Sequence, residues 1–168
     1  KIFFNKDALL LFNGEIYNQK ILKEKYLNLE QFSTSTDTEV LFKLLLKKGT
    51  KIVNEISGIF SFVFFDLKRN TLECVRDFTG TKPLYYLIQN NNFFFSSEAW
   101  FLYSLTEKKI NKKSLNFFLN FGFTPEENTL IDEVKKIKPR NIFKLDYEKF
   151  LSEKRDYFII NENKNSEF

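Results

Sequence analysis

The chain has 168 residues, 43% of them apolar, enough to bury one sizeable core, and it carries a net charge of +4 from 26 basic and 22 acidic side chains. That excess is mild and spread along the chain, so it gives no ground for a nucleic-acid or anionic-membrane surface, and the apolar runs are too short to span a bilayer. One cysteine and no histidine exclude an intrachain disulfide, a histidine-dependent triad and most catalytic zinc sites, and make a reducing, cytoplasmic setting the expectation.

The first residue is Lys1, and Ile2-Phe3-Phe4 already reads as structured chain, so the sequence is expected to start inside a domain. ALLLFNG, ending at Gly14, reads as a strand that stops in a turn, because Asn-Gly favours positive φ and hairpin geometry. YNQKILKEKYL predicts a helix with Ile21, Leu22 and Leu29 among its apolar anchors. STSTDTEVLFKLLLKKG predicts a second helix: Thr36 caps it, Glu39 holds the capping-box position, and Gly49 follows a basic last turn. Val40, Leu41, Leu44 and Leu45 form its apolar stripe.

At GIFSFVFFD the period changes. This almost wholly apolar run suits a strand covered on both faces. NTLECVRD, KPLYYLIQN and NFFFSSE follow as short strands, with Asn70 and Asn90 to Asn92 as turn residues; the brief connections imply antiparallel neighbours. EAWFLYSL predicts a short helix, KKSLNFFLNFG another stopped by Gly122, and Pro125 begins a loop. A turn near Pro139 leads to a final strand at Asn141 to Leu145. From Lys154 onward the chain thins into a polar tail, INENKNSEF. Helices flanking strands that are buried on both faces imply two stacked antiparallel sheets with helices outside, an α+β fold.

The chemistry centres on Asn13 and Gly14. An Asn side-chain NH2 and the next backbone N–H offer two donors to one oxygen, the makings of an oxyanion hole. Glu15 is placed to hold a cationic amine beside it, and Asp37, at a predicted helix start, is placed for a second amine contact. The plain alternative is a hairpin turn with two surface acids. Cys74, in the middle of NTLECVRD with no histidine to activate it, reads as a buried strand cysteine.

The ordered set NGEIYN, STDTE, GIFSFVFFD, RDFTGTKPLYY, SSEAW and NTLIDEVKKIKP resembles the glutaminase domain of glutamine-hydrolysing asparagine synthetases. The resemblance runs from about Ala8 to Phe158. It implies a class II glutamine amidotransferase fold, a four-layer αββα sandwich of the N-terminal-nucleophile hydrolase type, here expected to be incomplete at its N-terminus. It also implies a mechanism in which an N-terminal Cys attacks the glutamine side-chain amide, ammonia leaves and water releases glutamate. By resemblance, Asn13 and Gly14 match the oxyanion-hole pair. Glu15 matches the third residue of the glutamine-binding NGE motif, and Asp37 matches the acid that binds the substrate α-amino group.

The family's nucleophilic Cys and carboxylate-gripping Arg match nothing in this sequence, so the chain as written is expected to bind glutamine poorly and not hydrolyse it. The expected organisation is a partial amidotransferase domain over residues 1–158, followed by a tail or linker over residues 159–168. No Ser-Gly-Gly stretch is present to cradle ATP. ATP and magnesium are therefore expected only in a synthetase domain outside this chain, with no cofactor or metal in the chain itself. The expected partners are glutamine, that synthetase domain and a second copy of the chain as a homodimer, with no nucleic acid or membrane. Two departures from the family pattern stand out: Phe78 replaces an Arg in the Arg76-Asp77 block, and Arg140 replaces a Gly after Pro139. Arg76 and Asp77 read equally as a pair fixing a strand end or as part of the site lining. The rival readings are a non-catalytic glutamine-binding or interaction module, and the glutaminase domain of an amidotransferase of sugar or polysaccharide assembly. An RNA-binding reading is disfavoured because the aromatics sit in core-like runs and the charge is diffuse.

Overall fold

The computed structural model describes residues 1–157. Along the chain run β1 (Ile2–Phe4), β2 (Ala8–Ile16), α1 (Gln19–Tyr26), α2 (Asp37–Lys48), a 3₁₀ segment (Gly49–Glu55), β3 (Gly58–Asp66) and β4 (Thr71–Arg76). Then come β5 (Tyr85–Gln89), β6 (Asn92–Ser96), α3 (Ala99–Tyr103), α4 (Lys112–Phe121), β7 (Val134–Lys136), β8 (Asn141–Asp146) and β9 (Leu151–Asp156). The strands form two antiparallel sheets, one ordered β1-β2-β3-β4-β8-β9 and one ordered β6-β5-β7.

Side chains alternate across the large sheet and build two cores. On one face Leu10, Phe12, Phe60, Phe62, Phe64, Val75 and Ile142 pack under α1 and α2, which contribute Leu22, Val40, Leu41, Leu44 and Leu45. On the other face Val63, Leu72, Cys74, Phe143 and Leu145 meet Leu84, Tyr86 and Ile137 from the small sheet and its flanks. Rings stack across this seam, with Tyr86 and Phe143 centroids 4.8 Å apart and Phe93 and Phe143 5.4 Å apart. Beyond the small sheet, Leu102 of α3 packs on Leu87 and Val134. The order is helices, large sheet, small sheet, helices: the αββα sandwich expected from the sequence. GIFSFVFFD is indeed covered on both faces, because it sits third in a six-strand sheet sandwiched between two layers.

Local signals work where the backbone alone decides. Thr36 Oγ1 accepts from the Glu39 amide at 3.4 Å and α2 ends at Gly49 with φ +65°. The β5–β6 hairpin turns on Asn90 and Asn91, both at positive φ, and α4 ends at Gly122 in the left-handed region.

Several expectations are corrected. Asn13-Gly14 is not a turn: it lies inside β2, paired in register from Ala8↔Asp66 to Ile16↔Gly58. Nine cross-strand pairs outweigh a dipeptide's turn preference, and the glycine is needed for close strand approach instead. Leu22 is buried as expected, but Ile21 and Leu29 are exposed rather than anchoring α1, and Leu27 is buried instead. The polar stretch from Lys154 does not begin a tail: Leu151–Asp156 forms β9, an edge strand held to β8 by its main chain. Residues 158–168, including the expected tail over 159–168, lie outside the described residues. The aromatics are not all core either. Trp100 and Phe101 are exposed on α3, which buries only Leu102, and Phe118, Phe121 and Phe123 are exposed on and just after α4, which buries only Ser114 and leaves its apolar stripe uncovered by the described residues.

Candidate functional site

Asn13 faces the seam between the sheets, where with Ser61, Leu84, Phe95 and Ser96 it lines a cavity of about 300 Å³. Its strand partner is Ser61, whose hydroxyl donates to the Pro83 carbonyl at 3.1 Å and ties that wall to the strand above it. Among the described residues the Asn13 amide has no hydrogen-bond partner, so it faces the cavity uncommitted.

Gly14 stands opposite Phe60. The Phe60 N–H donates to Asp77 Oδ2 at 3.0 Å and its carbonyl accepts from the Asp77 amide at 2.8 Å, so Phe60 turns its main chain away from Gly14. By the alternation of an antiparallel pair, the Gly14 N–H and C=O face the β1 side. There the main chain of Lys1 ends its pairing on Phe12, donating to the Phe12 carbonyl at 2.8 Å and accepting from the Phe12 amide at 2.8 Å. Gly14 has φ +147°, and a Cβ added there would sit 2.1 Å from the Ile59 carbonyl oxygen and 2.6 Å from the Phe60 Cα. Only glycine allows this approach, and the approach directs the Gly14 amide to the strand edge beside Asn13.

Asp37, the first residue of α2, is 7% exposed. Its Oδ2 accepts from the Ile16 amide at 3.1 Å, which pins the helix start to the end of β2. Its Oδ1 receives the Lys1 ε-ammonium at 2.8 Å. The same ammonium lies 3.4 Å from the Gly14 carbonyl and over the Phe12 ring. A primary ammonium is thus seated between Asp37 and Gly14. The structure therefore brings Asn13, Gly14 and Asp37 to one end of β2. Glu15 follows in the same strand, exposed and with no partner among the described residues. Lys1 was invisible as a site residue in the sequence, since no spacing links it to Asp37.

Glu39 is 2% exposed and has a different task from the one its position predicts. Instead of closing a capping box on Thr36, its carboxylate accepts from the Ser33 and Thr34 amides at 2.9 and 2.6 Å and from the Thr34 hydroxyl at 2.7 Å. Burial alone would raise this carboxyl, but those hydrogen bonds hold it below its ordinary value. The loop that delivers Asp37 is braced by it.

Arg76 and Asp77 fix the end of β4. The Arg76 guanidinium donates to the carbonyls of Lys82, Ile137 and Gly80 at 3.0, 2.8 and 2.5 Å. Asp77 is fully buried and accepts from the amides of Phe60, Thr79, Thr81 and Lys82 and from the Thr79 hydroxyl. Burial pushes its carboxyl up, and the hydrogen bonds more than offset this, leaving it below the usual carboxylate range. The two departures, Phe78 and Arg140, meet: the Arg140 guanidinium lies 5.3 Å from the Phe78 ring centroid. Arg140 takes φ +60°, so the turn expects a glycine-like conformation and keeps it despite the side chain. Cys74 is fully buried in the seam, where burial pushes its thiol well up from its ordinary value; it is a packing residue.

The comparisons with known proteins agree with one another. The glutamine amidotransferase domain family matches residues 3–158. The chain is 40% identical over 146 residues to the putative asparagine synthetase (glutamine-hydrolyzing) 2 of Methanocaldococcus jannaschii, covering 83% of this chain and 28% of that protein. It is 35% identical over 139 residues to the asparagine synthetase (glutamine-hydrolyzing) 1 of Bacillus subtilis, covering 80% of this chain and 22% of that protein. The chain therefore spans less than a third of the length of these curated relatives. Among solved structures, a glutamine phosphoribosylpyrophosphate amidotransferase from Bacillus subtilis superposes with a TM-score of 0.61 at 20% identity, over 95% of this chain and 31% of that one. A glutamine aminotransferase class-II domain protein from Silicibacter pomeroyi gives a TM-score of 0.54 at 15% identity, over 93% of this chain and 70% of that one. At these identities the two structures speak to the sandwich fold.

Proposed function

The chain belongs to the glutamine amidotransferase domain family, and on that premise we propose that the end of β2 is a glutamine seat in the glutaminase portion of an asparagine synthetase. The Asn13 amide and the Gly14 main-chain N–H would take the carbonyl oxygen of the glutamine side chain and the negative charge that develops on it when the amide is attacked. Donors aimed at that charge act on the transition state more than on bound substrate, and the loss of one typically costs about 10²–10³ in kcat. Asp37 takes the α-ammonium, and Glu15 stands beside it as a second carboxylate.

The observation that carries this proposal is the seat at Asp37. A nearly buried carboxylate, oriented by the Ile16 amide, already receives a primary ammonium next to Gly14. That is the recognition an α-amino group requires, supplied here by the Lys1 side chain. The thiol at Cys74 is fully buried, so these residues furnish a substrate seat without an attacking sulfur. We infer that the 168-residue chain by itself releases no ammonia from glutamine. Transfer of ammonia to aspartate, with ATP and magnesium, belongs on this proposal to the remaining length that the asparagine synthetase relatives have and this chain does not span.

Titration calorimetry with L-glutamine tests the seat. The expected outcome is saturable binding with Kd in about the millimolar range, weakened at least tenfold by Asp37→Asn and tightened by Lys1→Gln, which removes the resident ammonium. Equal affinity for Asp37→Asn and the parent chain, or no saturable binding to either the parent or Lys1→Gln, refutes it. Ammonia release by the 168-residue chain would refute the inference of inactivity. The buried thiol also favours a second reading, a glutamine-binding module without catalysis. Glutamine turnover by the longest natural form of this protein decides against that module, and binding without turnover decides for it.

A further inference from the structure

A second cleft, of about 990 Å³, opens where the end of β4, the loop over residues 123–127, the turn before β8 and the end of β9 meet. None of Asn13, Gly14, Glu15 or Asp37 lines it. Its walls carry six cationic side chains against two carboxylates, as large an excess as the net charge of the entire chain. Both carboxylates are already engaged: Glu126 with Lys138 at 3.2 Å and Glu127 with Lys154 at 2.5 Å. Arg155 reaches Glu73 at 3.7 Å. Arg76, Lys136 and Arg140 have no carboxylate within ion-pair distance among the described residues. Arg76 is spent on three carbonyls, with two of its five N–H bonds left over. Lys136 Nζ donates to the Thr124 carbonyl at 2.6 Å and hydroxyl at 3.1 Å. Burial, and to a lesser degree the Arg76 charge nearby, pulls the Lys136 ammonium down from its ordinary value.

The placement of Arg140 is a second and independent sign. Its backbone has φ +60°, a conformation glycine takes without steric cost, and its amide is held on the Asp77 carbonyl at 3.0 Å. A long cationic side chain is kept at a position where the backbone favours none, and the Phe78 ring underlies its guanidinium.

We propose that this cleft is an anion site that takes a phosphoryl group, with Arg140, Lys136 and Arg76 as its cationic wall. A doubly charged tetrahedral oxyanion matches three cations that have no carboxylate in ion-pair contact among the described residues better than a single carboxylate does, and charge-assisted hydrogen bonds from guanidinium and ammonium groups are the strong kind. The ligand is inorganic phosphate or the phosphate of a small ester.

Calorimetric titration of the 168-residue chain with sodium phosphate, at ionic strength held constant with sodium chloride, is the test. One saturable site is expected. Arg140→Gly should weaken it at least tenfold while leaving the thermal melting temperature equal or higher, because the substitution relieves the strained turn. Lys136→Gln should also weaken it at least tenfold, and Lys6→Gln, outside the cleft, should leave it unchanged. Adenosine diphosphate binding more tightly than phosphate assigns the ligand as an ester; equal or weaker binding assigns the free ion. Unchanged phosphate affinity in Arg140→Gly, or a signal that chloride alone reproduces, overturns the proposal.

Discussion

Gly14→Ala is the sharpest perturbation of the site, because the structure predicts its cost before any ligand is added. The new Cβ would fall 2.1 Å from the Ile59 carbonyl oxygen and 2.6 Å from the Phe60 Cα. Both are backbone atoms of β3, held by ladder bonds on either side, so no flexible side chain can move aside. The residue is also at φ +147°. Forcing a side chain into that backbone region costs about 1–3 kcal/mol, and overpacking against a fixed neighbour adds about 1–3 kcal/mol. The sum is about 2–6 kcal/mol, which at about 2–4 °C per kcal/mol for a chain of this size lowers the melting temperature by roughly 4–24 °C. Gly49→Ala separates the two contributions. Gly49 has φ +65° and ψ −169° but nothing within 4 Å of its added Cβ, so only the backbone cost of about 1–3 kcal/mol applies. Urea denaturation followed by far-ultraviolet circular dichroism measures both. Equal destabilisation by the two substitutions would refute the close approach of β2 and β3 at Gly14, and with it the geometry that aims the Gly14 amide at the strand edge.

Asp77→Asn replaces a buried acceptor of five hydrogen bonds with a group that turns an NH2 toward N–H donors; a loss of about 2–4 kcal/mol is expected in the same denaturation assay. Because the Asp77 and Glu39 carboxyls are held below their ordinary values, the stability they add is complete above about pH 4–5 and is lost as the pH falls through their folded-state values. The acid limb of a stability–pH profile should therefore flatten in Asp77→Asn. Cys74 should react with a disulfide reagent only as fast as the chain unfolds, even at about pH 9, since its thiol is both buried and pushed up; reaction faster than unfolding would contradict the packed seam.

The residues alone determined more of the fold than of the site. Val40, Leu41, Leu44 and Leu45 recur at helical spacing and are all buried, and GIFSFVFFD is apolar on both faces because both its faces are covered. The turns at Asn90-Asn91 and the stops at Gly49 and Gly122 follow from positive φ, a property of single residues. Asn13, Gly14 and Asp37 could be named as candidates from residue type and resemblance, since those residue types carry the chemistry wherever they fall.

Only the folded chain decided how they are arranged. Asn-Gly favours a turn locally, yet pairing along the whole of β2 keeps it in a strand, and the same glycine then serves close packing. β9 has no alternation to announce it, because an edge strand is held by main-chain hydrogen bonds that any sequence can make. Lys1 meets Asp37, and Phe78 meets Arg140, across separations that no local pattern spans. Periodicity and turn chemistry are encoded within a few neighbouring residues and are legible there. Contacts that set charge against charge depend on how sheets stack, and that is settled only when the cores on both faces of the large sheet are buried together.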